Sequence, residues 1–259
     1  MDLAQITSGF AIGAIVGITG VGGGALMTPL LVLVFGVQPA TAVGTDLLYA
    51  AITKSGGTLV HAGRGNVDWR IAGLLAAGSL PAAALTLLLV SRFAPGGLGG
   101  AAGVVRFSLG LALLLTAAAL LLRRRLQAWA QAHGVDALPV HRRTRLTVGA
   151  GIALGTLVSL SSVGAGALGV TALFFLYPKL PAIRIVGSDL AHAVPLTLAA
   201  GAAHWWLGSI DWTLLASLLT GSLPGILLGS QLASRIPERV LRPTLAGMLV
   251  LVGSRLVAA

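Results

Sequence analysis

From Ile71 to Val90 the chain runs 20 residues without a charged side chain. A helix needs ~20 apolar residues to cross the ~30 Å hydrocarbon core of a bilayer. Comparable apolar runs fall at about 40–61, 98–122, 183–206, 212–233 and 240–257. Only 9% of the 259 residues are charged, 56% are hydrophobic, and the mean hydropathy is +0.94. A soluble domain carries about 25% charged residues, so this chain has too few to cover a water-facing surface. The expected fold class is an all-α polytopic membrane protein with the lipid bilayer as its main partner.

Two apolar runs are too long for one helix, and each is broken in the middle. The run at about 3–37 is interrupted by Gly20, Val21, Gly22, Gly23 and Gly24. The run at about 146–177 is interrupted by Ser161, Ser162, Val163, Gly164, Ala165 and Gly166. Backbone broken at membrane depth leaves polar groups that protein or a water-filled cavity must satisfy. The one long polar segment, 123–145, reads as a basic cytoplasmic linker, with a short surface helix around Leu126 to Ala132. It divides the chain into a first transmembrane repeat, 1–122, and a second, 146–259.

The division is a duplication. At an offset of 143 residues, Val43-Gly44-Thr45-Asp46-Leu47 matches Val186-Gly187-Ser188-Asp189-Leu190. His61 falls on His204, Asp68-Trp69 on Asp211-Trp212, and Gly78-Ser79-Leu80-Pro81 on Gly221-Ser222-Leu223-Pro224. Segments 43–81 and 186–224 share 14 identities in 39 ungapped positions. At an offset of 142, Val21 to Leu26 matches Val163 to Leu168. Each half is expected to hold a broken, hairpin helix followed by three transmembrane helices.

Charge sets the orientation. If both broken runs are hairpins, one side receives Arg64, Arg70, Arg123, Arg124, Arg125, Arg142, Arg143, Arg145, Lys179, Arg184, Arg235, Arg239 and Arg242, 13 residues against Arg92, Arg106 and Arg255. If each broken run crossed once, the same 16 residues would split about evenly. Cytoplasmic loops carry the excess of Lys and Arg, so the hairpins are favoured. An odd number of crossings then inverts the second repeat, and both termini lie outside. Met1-Asp2-Leu3-Ala4-Gln5 lacks the basic start of a cleaved signal peptide. The net charge of +10 does not suggest nucleic acid, because the cations sit in short loops and aromatics are only 5%. With no cysteine, disulfides and thiolate metal sites are excluded, and no cofactor is implied.

The candidate chemistry lies at the breaks. The residues after each break begin a half-helix whose first N–H groups carry partial positive charge, a ready-made anion site; the alternative is close helix packing through small residues. The candidate substrate-binding residues are Thr19, Gly20, Gly22, Gly23, Gly24, Ser161, Ser162, Val163, Gly164 and Ala165, through backbone N–H groups and hydroxyls. Tyr49 and His192, at equivalent positions, are candidates to line the same cavity. Asp46 and Asp189 are carboxylates within apolar runs, which are expensive in a membrane and default to functional candidates. They serve either to brace the breaks or to carry a coupling proton or sodium ion. Lys54, whose counterpart is Thr197, either pairs with Asp46 or lends charge to an anion. His61 and His204 are expected to make hydrogen bonds near helix ends, Trp69, Trp205, Trp206 and Trp212 to anchor the interface, and Pro81, Pro195 and Pro224 to kink helices.

Taken in order, Gly20 to Gly24, Pro39 to Asp46, Gly187 to Leu190 and Gly221 to Pro224 resemble the TauE/SafE sulfite exporter family, also called the toluene sulfonate uptake permease family. The resemblance covers nearly the whole chain. It implies an inner-membrane transporter of sulfur-containing or organic anions such as sulfite, sulfonates, sulfoacetate or thiosulfate. The second break departs from the first, with Ser162 for Gly20 and Ala165 for Gly23, so the half-sites need not contribute equally. The expected function is a secondary transporter or facilitator for a small anion, not an enzyme, working by one repeat rocking against the other. A homodimer is the candidate assembly. The rival is a cation-coupled transporter or channel centred on Asp46 and Asp189. A membrane-embedded enzyme is the minor alternative, and no clustered histidine ligands or H-E-x-x-H support it.

Overall fold

A computed structural model describes residues 3–19, 24–94, 100–232 and 238–258, and the described residues form helices with no strand. The first half holds α1 (Leu3–Thr19), α2 (Gly24–Leu33), α3 (Pro39–Gly63), α4 (Trp69–Phe93) and α5 (Ala102–Ala132). A short 3-10 turn, Val135–Ala137, leads to the second half: α6 (Val140–Ser161), α7 (Ala167–Leu176), α8 (Ala182–Trp206), α9 (Trp212–Leu232) and α10 (Glu238–Ala258). Among the described residues, five helices are long and apolar enough to cross a membrane: α4, α5, α6, α8 and α9, the last within Trp212–Gly229. Helix α3 is as long as α8, 25 residues each, and carries Asp46 and Lys54 buried inside the protein. Pro81, Pro195 and Pro224 lie inside continuous helices.

The helix starts follow from local chemistry. Asp68 caps α4, its Oδ1 accepting from the Arg70 and Ile71 amides at 3.1 and 3.2 Å. Asp211 caps α9 by accepting from the Leu214 amide at 2.9 Å. Pro39 opens α3, where its missing N–H costs nothing. At 10 residues each, α2 and α7 are half-helices, ~15 Å long against ~30 Å of hydrocarbon.

Helix directions come from glycines with no room for a Cβ. Gly9 and Gly13 of α1 pack on the backbone of Leu218 and Ser222 of α9, and Gly221, Gly225 and Gly229 of α9 pack on Ile6, Phe10 and Ala14. The numbers rise together, so α1 and α9 run parallel. The equivalent helices repeat this: Gly151 and Gly155 of α6 pack on Leu75 and Ser79 of α4, and Gly78 packs on Val148 and Ile152. In contrast α3 and α8 run antiparallel, Gly44 meeting His204 and Ser209 while Gly187 meets His61 and Asn66. Helices α5 and α10 are also antiparallel, Gly110 meeting Val257 and Gly253 meeting Leu114. Short turns at 64–68 and 207–211 reverse the chain between α3 and α4 and between α8 and α9. It follows that α1 runs the same way as α3, with α2 between them in the chain. The same reasoning makes α6 run the same way as α8, with α7 between them.

The basic segment differs from expectation. Helix α5 continues without interruption to Ala132, and α6 already begins at Val140, so only 133–139 lies between α-helices. Arg123 to Ala132 is rich in Arg, Leu, Gln and Ala, all strong helix formers, and Gly134 is the first breaker. The extension also has something to pack on. Arg123 covers the Phe174 ring at 3.9 Å, Trp129 stacks on Phe175 at 5.7 Å, and Gln127 and Gln131 donate to the Pro178 carbonyl at 3.4 and 3.2 Å.

Candidate functional site

The antiparallel pair α3 and α8 brings the paired acids into the interior of the molecule. Asp46 and Asp189 are both buried. Thr28 of α2 donates through Oγ1 to Asp46 Oδ2 at 2.5 Å, and Ser162 of the second break stands beside the same carboxylate. Asp46 Oδ1 has no partner among the described residues, nor does Asp189 Oδ1. Asp189 lies against Gly169 of α7, where a Cβ would overlap its carboxylate. Each acid is thus tied to a half-helix: Asp46 to α2, Asp189 to α7.

Lys54 joins them. It is buried, and its Nζ donates to the Ala165 carbonyl at 2.6 Å, a bond that spans the two halves. The ammonium acts electrostatically on both Asp46 and Asp189, but among the described residues it makes no ion pair within 4.0 Å with either. The pairing of Lys54 with Asp46 is therefore replaced by a hydrogen bond to the second break. The Gly164 and Gly166 carbonyls on either side accept from the Gly169 and Val170 amides of α7, and the Ala165 carbonyl between them takes the Lys54 ammonium.

The second break is built by unusual backbone. Helix α6 ends with Ser162 at φ 58°, a left-handed residue whose amide donates to Val158 O at 2.7 Å. Gly164 at φ 119° and Gly166 at φ 139° occupy conformations that L side chains rarely adopt. Ser161 braces this turn. Its Oγ donates to Leu157 O at 2.6 Å and accepts from the Val163 amide at 3.1 Å. Those two groups are consumed locally and are not free for a ligand. The amides of Gly164, Ala165 and Gly166 have no partner among the described residues, α7 starts without a side-chain cap, and the buried Ser162 hydroxyl faces the Asp46 carboxylate without a completed hydrogen bond. Of the first break, Gly20, Gly22 and Gly23 lie outside the described residues; Thr19 closes α1 and Gly24 opens α2, with their side chains also outside.

Tyr49 and His192 line the same region from equivalent positions. His192 Nε2 and Ser79 Oγ are 2.8 Å apart. The Tyr49 hydroxyl is turned toward Ser222, the counterpart of Ser79, without a completed hydrogen bond. Thr45 and Ser188, next to each acid, hold the far half: Asp68 N donates to Ser188 Oγ at 2.8 Å, and Asp211 N donates to Thr45 Oγ1 at 3.1 Å. His204 is interior rather than interfacial, its Nε2 lying 3.0 Å from the Ser159 carbonyl. Trp69, Trp205, Trp206 and Trp212 are exposed at helix ends. No cluster of metal-ligating side chains occurs among the described residues.

Sequence reasoning did not single out Thr28, Ser79 or Gly169. Ser79 was visible as part of the duplicated Gly-Ser-Leu-Pro motif. Thr28 and Gly169 carry no signal, because only the packing of each half-helix on its acid gives them a role.

A family model for the sulfite exporter TauE/SafE matches residues 6–256. The chain belongs to the TauE/SafE sulfite exporter family. It is a membrane transporter of that family, and the buried cluster lies at the centre of the matched region. Among TauE/SafE-like relatives, the probable membrane transporter protein YjnA of Bacillus subtilis is 37% identical over 257 residues, covering 99% of this chain and 100% of its own length. The probable membrane transporter protein YdhB of the same organism is 28% identical over 93% of this chain and 97% of its own. A probable membrane transporter protein of Xylella fastidiosa is 30% identical over 86% of this chain and 81% of its own. No solved structure matches the chain.

Proposed function

We propose that this TauE/SafE protein is an inner-membrane secondary transporter or facilitator for a small sulfur-containing or organic anion, of the sulfite, sulfonate, sulfoacetate or thiosulfate class. The observation that carries the reading is the second break. Unpartnered amides at Gly164, Ala165 and Gly166 head a half-helix beside the buried Ser162 hydroxyl and the buried Lys54 ammonium. Helix N-termini and a desolvated cation both favour negative charge. The family description as a sulfite exporter supports the substrate class. The antiparallel packing of α3 on α8 and of α5 on α10 supports an inverted arrangement of the halves, and the charge split supports termini on the outer face. An interior-negative potential expels an uncoupled anion, at about 2.3 kcal/mol per charge per 100 mV; uptake requires a cotransported cation, for which Asp46 and Asp189 are the carriers.

Binding of sulfite, thiosulfate, sulfoacetate, taurine and sulfate to the purified protein tests this. Binding of at least one sulfur anion, weakened in Lys54→Ala, is expected; binding of none overturns the substrate class. A second reading, a cation transporter or channel centred on the acids, is favoured by the unpartnered oxygens of Asp46 and Asp189. The double variant Asp46→Asn/Asp189→Asn separates the two: anion binding that survives in it removes the acids from the substrate site, whereas loss of cation flux alone supports the second reading.

A further inference from the structure

A separate cavity of about 480 Å³ opens away from the buried cluster. Three segments converge on it: the first turns of α4 with Asp68, Arg70 and Leu74, the turn and start of α6 with Asp136 and Arg143, and the α7–α8 loop with Tyr177 and Lys179. It therefore bridges the two halves. All three segments lie on the side that receives the arginine-rich end of α5.

The carboxylates in this cavity are already engaged. Asp68 caps α4, and Asp136 is ion-paired with Lys179, which holds its carboxyl below the ordinary carboxylate range. The guanidinium groups are not. Arg143 is steadied over the Tyr177 ring at 5.2 Å and makes one long bond, 3.5 Å, to the Asp136 carbonyl, leaving most of its donors open. Arg70 is exposed and has no side-chain partner among the described residues. Guanidinium forks match the oxygens of a phosphate bidentately. The opposite wall is apolar, formed by Ile71, Leu74, Val140 and Leu180. Trp69, beside Arg70, and Trp129, at the same end of the molecule, are exposed, as aromatic side chains are at headgroup depth. Basic pockets between membrane helices at that depth suit lipid headgroups.

We propose that this cavity binds a phosphate ester through Arg70 and Arg143, supplied by an anionic phospholipid headgroup or by a free phosphate ester, and that its occupancy ties the first half to the second. The site is independent of which ion the central cluster carries.

Native mass spectrometry after reconstitution into phosphatidylglycerol and phosphatidylcholine tests it. The native protein is expected to retain phosphatidylglycerol preferentially. Retention should fall about tenfold in Arg70→Gln/Arg143→Gln, the loss of roughly one charge-assisted bidentate contact. Arg70→Gln alone leaves the Arg143–Tyr177 contact intact and should show a smaller fall, which covers failure of the double variant to fold. Arg92→Gln, at the other end of α4, should change nothing. A parallel arm heats the protein with glycerol phosphate: protection of the native protein but not of the variants assigns the site to the free ester, and protection only by phosphatidylglycerol assigns it to lipid. Equal retention by the native protein and both folded variants overturns the proposal, as does displacement of the lipid by an equal concentration of sulfite.

Discussion

Asp46 and Asp189 occupy the same place in two copies of one motif, yet their surroundings differ. Thr28 donates to Asp46; at the offset of 142, its counterpart in α7 is Val170, which has no hydroxyl to offer. Asp189 instead approaches the backbone of Gly169, whose counterpart in α2 is the buried Met27. The single buried ammonium, Lys54, comes from the first half and has Thr197 opposite it. Farther out the halves agree closely. The Thr45–Asp211 and Ser188–Asp68 bonds are mates, and so are the glycine contacts of α1 with α9 and of α6 with α4. The two copies are alike where they build the frame and unlike around the ionisable centre, where a symmetric site would hold two lysines or none.

The largest effect should come from making the Asp189 side crowded. Gly169→Ala places a Cβ into the carboxylate and should abolish transport in proteoliposomes, whereas Gly73→Ala, with nothing within 4 Å, should leave transport unchanged and gain up to about 1 kcal/mol of helix stability. Next is Lys54→Thr, which makes the first half resemble the second. It should lower anion affinity at least about tenfold, one lost charge-assisted contact, while thermal unfolding stays cooperative; undiminished affinity would mean that the asymmetry of charge has no role in binding. Gly78→Ala and Gly221→Ala probe the matched frame. Each should cost about 1–3 kcal/mol in denaturant titration, and a markedly larger cost at one of them would break the equivalence of the two interfaces. Smallest is the exchange at the half-helices. Thr28→Val should cost roughly 0.5–1.5 kcal/mol, the net worth of a typical intramolecular hydrogen bond, and Val170→Thr should recover less.

The fold was legible because its signals are coarse. Run length identified the spanning helices among the described residues, and α1 and α3 share a direction. The duplicated Gly and His positions fall on mated contacts, Gly44 with His204 and Gly187 with His61. The extent of α5 was misread because hydropathy marks where lipid ends, while Arg123 to Ala132 continue the helix on propensity and on packing against Phe174 and Phe175. The acids and Lys54 stand out in the sequence as rare residue types in apolar runs, and the structure buries all three. Which groups are free was not legible. Ser161 and Ser162 read alike in sequence, yet one is consumed by its own turn and the other is not. That difference depends on a single left-handed φ.

The parallel pairs α1 with α9 and α6 with α4 have a consequence for how such a chain arose. In each pair one helix belongs to each half, and the contacts are reciprocal: Gly9 with Leu218 is answered by Gly151 with Leu75. Reciprocal contacts of this kind define the interface of a twofold homodimer. Duplication of a half-length chain that paired with itself leaves contacts of this pattern, and joining the two copies frees the sequences at the centre to become different.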